Sequence, residues 1–176
     1  MSTQENSSVE INPEKDELNL PNRKWVYTLT TLTFIGATIG LIFCIMFIVF
    51  WGKLDVVLSK GDQNAKDLEA MLISTIGEQR WWTYVKNNQI NDFFLSTRNH
   101  YILAAISNAL AILGAFLMRT YRKSGFYIYV LSHLLFLVSP FIMILDYEIN
   151  MRDTLIFVLI ATVFIGLYSR SIKFFK

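Results

Sequence analysis

The chain of 176 residues has one cysteine, Cys44, so no disulfide can form within it. That excludes the cross-linked outer loops that staple several four-span membrane families. Charge is scarce too: 17% of residues are charged, against about 25% in a typical soluble domain. It is absent altogether from Trp25–Trp51, Tyr101–Met118, Gly125–Leu145 and Leu155–Tyr168. Chemistry-bearing motifs are missing as well. There is no HExxH, no cysteine pair, no close carboxylate pair inside those runs and no glycine-rich phosphate loop. Nor is there a basic groove suited to nucleic acid. The expectation is a protein that is not an enzyme, with no cofactor, no metal and no nucleic-acid partner.

What is present is hydrophobic length. A hydrocarbon core roughly 30 Å thick takes about 20 apolar residues as a helix. The first three runs reach that length, and the fourth does so if Arg152 and Asp153 sit among headgroups. The reading is all-α: an integral membrane four-helix bundle, up-and-down, with a mostly helical extracytoplasmic loop between helices 1 and 2. Its segments are a disordered tail (1–22), spans at 23–52, 98–119, 124–146 and 151–170, the loop at 53–97, and an end at 171–176. The first run is too long for a signal peptide, and Phe50-Trp51-Gly52-Lys53 is no small-residue cleavage site, so it reads as a retained helix.

Basic residues near helix ends favour the cytoplasmic side. The turn Arg119–Ser124 holds Arg119, Arg122 and Lys123 with no acid. The turn Asp146–Asp153 holds Asp146, Glu148 and Asp153 against Arg152. These short turns determine topology and place both termini in the cytoplasm. The acidic turn reads as solvated, with a cation site as its alternative.

Within 53–97, Leu54, Val57, Leu58, Ala65, Leu68, Leu72 and Ile76 recur at helical spacing, interrupted at Gly61 and ended at Gly77. Then comes an aromatic stretch with Trp81, Trp82 and Tyr84. Together with Trp51 these residues read as interfacial, on the outer leaflet or over the bundle mouth. Ser96, Thr97 or Asn99 is the expected cap of the second span.

Gly36 and Gly40 form a GxxxG step, whose small side chains let two helix backbones approach closely. The expected partner is the small face of the second span, with Ala104, Ala111 and Ala115; a homodimer through helix 1 is the alternative. Asn108 and His133 form a polar pair. At 1.5 Å rise per residue they lie about 15 and about 12 Å from the same end of adjacent antiparallel helices. Each needs a hydrogen-bond partner in lipid, as a clamp between helices or as a proton- or ligand-handling site. His100 falls near the opposite end of its helix, and Pro140 is expected to kink the third span.

The basic turn runs into Lys123, Gly125, Phe126 and Tyr127 at the start of the third span. There the chain resembles small bacterial four-helix membrane proteins of unknown function. The resemblance implies the fold and a bacterial inner membrane, and carries no activity. Two functions follow as expectations. One is a structural or accessory subunit of a cell-envelope assembly, with the lipid bilayer and a second membrane protein as partners. The other is a small carrier or binder of a lipid or apolar molecule. A mid-depth polar cavity would separate them.

Overall fold

A computed structural model describes residues 23–144, 151–172 and 175. The tail at 1–22 and the turn carrying Asp146, Tyr147 and Glu148 lie outside the described residues, as do the side chains of Arg152 and Asp153. The described chain is helical, without strands: α1 (Arg23–Trp51), α2 (Leu54–Leu58), α3 (Gln63–Ile76), α4 (Glu78–Lys86), α5 (Ile90–Arg119), α6 (Lys123–Met143) and α7 (Met151–Ser169). Three stretches, Lys24–Leu58, Ile90–Arg119 and Lys123–Met143, are long and apolar enough to cross a membrane. The Thr154–Ser169 part of α7 is apolar but shorter.

α1 carries several threonines in its first turns without leaving their hydroxyls open. Thr28, Thr30 and Thr31 donate to the carbonyls of Lys24, Val26 and Tyr27, one turn back, at 2.8–2.9 Å. In hydrocarbon a hydroxyl without a partner is costly, so this back-bonding keeps the helix compatible with lipid.

α5 is the centre of the molecule, packed against α1 on one side and α6 on the other, while α7 makes a lighter contact with α6 and α1. The α5–α6 seam follows seven-residue steps on both helices. Gly114 faces Gly125, Ser107 faces Ser132, and His100 faces Ser139. At the first step the backbones nearly touch. A Cβ on Gly125 would come within 2.6 Å of the Met118 nitrogen and 2.7 Å of the Gly114 oxygen.

The turn joining α5 to α6 is closed by Tyr121 N–H to Met118 O and Arg122 N–H to Leu117 O, both at 3.0 Å. This Schellman arrangement usually has glycine in its left-handed position. Here Tyr121 takes it, with φ +58°, and its ring meets Phe175 edge-on. Beside the turn, the Arg119 guanidinium lies 4.7 Å from the Tyr27 ring centre.

At the other end α2, α3 and α4 fold over the ends of α1 and α5 as a cap. Gly61 (φ +63°) precedes Asp62, whose carboxylate accepts from Ala65 N–H at 2.9 Å to start α3. Gly77 (φ +98°) ends α3, its N–H bonding Ile73 O. The cap core holds Leu54, Leu72, Trp81, Tyr84, Phe93 and Phe94.

One sequence reading needs correction here. α5 starts at Ile90, not near residue 98. No side chain caps it, and Ser96 and Thr97 instead bond back to Phe93 O at 2.9 and 2.8 Å. The extra turns exist because they carry Phe93 and Phe94 into the cap core. Trp81 and Tyr84 are also buried in this cap over the ends of α1 and α5, and Trp82 is exposed. Trp81 Nε1 is 3.3 Å from Glu69 Oε1, and Tyr84 stacks on Phe93.

Candidate functional site

Two packed clusters leave a gap between them. Near the basic turn, Val26, Leu29, Ala37, Ala111, Met118, Tyr129 and Tyr168 pack together. Thr33 and Tyr168 tie α1 to α7 there with a 2.9 Å hydrogen bond between their hydroxyls. At the capped end, Phe50 and Trp51 join the second cluster. Between the two lies a cavity of about 300 Å³, bounded by residues of α1, α5, α6 and α7.

α1 contributes Gly40, Phe43, Cys44 and Phe47 to its wall. α5 contributes His100, Tyr101, Ala104, Ser107, Asn108 and Ala111, and α6 adds Ser132, His133 and Phe136. Phe157 of α7 closes the side. A second cavity, about 310 Å³, adjoins it through shared residues His100, Tyr101, Phe136 and Phe157, and reaches Pro140 and Ile144. No side chain lining either cavity carries a formal charge at neutral pH.

The polar groups of this wall are held by their own helices. Asn108 donates its amide to Ala104 O at 2.9 Å and points toward Cys44 Sγ at 3.8 Å. His133 Nδ1 lies 3.0 Å from Tyr129 O, with Ser132 Oγ at 3.2 Å. Its ring centre lies 4.4 Å from that of Tyr129 and 6.2 Å from that of Phe157. His100 Nδ1 meets Ser139 Oγ at 2.9 Å.

The structure brings Asn108 and His133 to one cavity, but they do not bond each other. The α5–α6 clamp is made elsewhere: Ser107 Oγ donates to Ser132 O at 2.6 Å, and His100 pairs with Ser139. Asn108 and His133 each follow a seam residue by one position. They are therefore turned about 100° away from the seam, into the cavity. His100, read as remote from His133, lines the same space.

The small residues divide between different neighbours. Gly40 lies against Asn108, whose Oδ1 would be 2.6 Å from an added Cβ. Gly36 is exposed, with nothing near its Cβ position. Ala37, one residue along, is buried in its place. Ala104, Ala111 and Ala115 are buried, the first two against the cavity. Arg122 and Lys123 stay exposed at the turn, and Trp51 packs under the cap.

Sequence reasoning missed Ser107, Ser132 and Ser139 as a set, and Phe157 entirely. The seven-residue recurrence His100–Ser107–Gly114, mirrored by Gly125–Ser132–Ser139, was the available signal. Among the described residues, no three His, Cys, Asp or Glu side chains gather as a metal site would require.

No protein-family model, curated protein or solved structure matches the chain. The functional reading therefore rests on the cavity and its chemistry.

Proposed function

We propose that this chain is a multi-pass membrane protein that binds a lipid or an apolar small molecule, without catalysis, in the cavity between its helices. The observation that carries the reading is a space of about 300 Å³ at mid-bundle with His100, Asn108 and His133 on its wall. Ligand sites are concave, mostly apolar and provided with a few placed polar groups. Polar side chains at membrane depth are expensive and mark functional sites.

In this reading α7 is a fourth crossing. Its 19 residues rise about 28 Å at 1.5 Å each, close to the hydrocarbon thickness. Arg119, Arg122 and Lys123 against the acidic Asp146–Asp153 segment put both termini in the cytoplasm. The resemblance at Lys123–Tyr127 supports a bacterial inner membrane.

Purification in mild detergent, followed by solvent extraction and mass spectrometry, tests the binding. An apolar compound should be recovered in near-stoichiometric amount. Ala104→Phe, which fills the cavity, should lose most of it while the protein stays folded. Unchanged recovery in that variant contradicts the reading.

A second reading, an accessory subunit of an envelope assembly, draws support from the cap. A groove of about 600 Å³ runs across it past Leu58, Gly61, Lys66, Trp81, Val85 and Phe94. A stoichiometric protein partner lost on substitution of Val85 would favour that reading.

A further inference from the structure

We infer that the cavity selects an apolar molecule ending in a neutral hydroxyl; the inference rests on the binding reading above and adds the chemistry of the head group. It comes from following the hydrogen atoms around the wall. Tyr129 O can only accept, so His133 Nδ1, 3.0 Å away, carries its ring proton. The proton of His100 follows from Pro140. Lacking an N–H, Pro140 cannot bond Phe136 O, the carbonyl four residues back. Ser139 Oγ donates to that oxygen instead, at 2.9 Å. With its one hydrogen used, Ser139 Oγ accepts from His100 Nδ1, also at 2.9 Å.

Both imidazoles therefore hold the proton on Nδ1 and present Nε2 as a bare acceptor. Among the described residues neither Nε2 has a hydrogen-bond partner. The other lining groups do not remedy this. Ser107 and Ser132 donate to the carbonyls of Ser132 and Tyr129 at 2.6 and 2.7 Å. Asn108 turns its NH₂ to Ala104 O and Cys44, leaving Oδ1 as a further acceptor. Only the Tyr101 phenol, which can donate or accept, and the weak Cys44 thiol depart from the pattern.

A wall of acceptors in a water-poor site calls for a donor on the ligand. An anionic head group would face lone pairs without a countercharge. A cationic one would find no carboxylate among the lining residues. A ketone, ester or ether brings no hydrogen and pairs no Nε2, and sites built for a hydroxyl reject such analogues. An alcohol or phenol on a hydrocarbon body supplies one hydrogen, enough to pair one of these acceptors, its body lying against Phe43, Phe47, Phe136 and Phe157.

The test compares 1-tetradecanol with its methyl ether, on the full chain in lipid nanodiscs with ¹⁵N-labelled histidine. The alcohol should half-saturate at about one tenth the mole fraction of the ether, the worth of one net hydrogen bond of about 1.4 kcal/mol. It alone should move an unprotonated Nε2 resonance. One of His100→Phe and His133→Phe, the one that removes the acceptor the hydroxyl uses, should narrow the gap between the two compounds. Equal binding of both compounds, with unmoved Nε2 signals, overturns the hydroxyl inference and leaves the apolar-binding reading standing. Binding of neither overturns both. If either variant fails to fold, the alcohol–ether comparison on the unaltered chain decides alone.

Discussion

Gly114 and Gly125 are where single atoms matter most. A methyl group on either would press on backbone, at 2.9 Å and 2.6 Å respectively, and backbone in a packed seam has little room to give. Gly125→Ala and Gly114→Ala should each lower stability by about 1–3 kcal/mol, the usual cost of overpacking. Gly40→Ala meets only the Asn108 amide, a side chain that can move, and should cost less. Gly36→Ala, with open space at its Cβ, should fall within about 0.5 kcal/mol of the parent. Thermal unfolding of the four variants in one detergent checks this order. The GxxxG spacing was legible in the sequence, yet only one of its glycines touches α5. Motif spacing puts two residues on one helix face, but the position of neighbouring helices decides whether that face is covered. The glycines at the closest approach sit on separate helices and form no local motif.

Among the elements, the cap α2–α4 is held by a few large rings. Trp81 is 2% exposed and Trp82 50% exposed, so neighbours in sequence should behave oppositely. Trp81→Ala should destabilise the cap by about 3–5 kcal/mol, seen as faster proteolysis and amide exchange over 54–86. Trp82→Ala should change either rate little. The helical spacing of Leu68, Leu72 and Ile76 and the breaks at Gly61 and Gly77 could be read from the chain, because periodicity and positive φ are local properties. The burial of Trp81 and Tyr84 could not, nor the early start of α5. Aromatic residues beside a span suit a headgroup layer or a protein core equally well, and only the long-range contact with Phe93 and Phe94 separates the two. Pro140 shows the same limit. Its presence in α6 was plain, whereas the Ser139 hydroxyl that covers Phe136 O and fixes the proton of His100 emerges from tertiary structure.

For the whole molecule, the helical class and three long apolar helices are plain from hydropathy alone. The cavity was not, since it arises from packing of α1, α5, α6 and α7 around side chains far apart in sequence. The proposal that it lies inside a membrane depends on α7 crossing beside α1, α5 and α6. Three crossings would leave the two termini on opposite sides; four leave them together. Fusing the N-terminus and the C-terminus in turn to a reporter active only in the cytosol tests this directly. Both fusions should be active at matched expression. An active N-terminal fusion with a silent, intact C-terminal one would show that α7 does not cross, and would contradict a lipid-embedded site walled by Phe157.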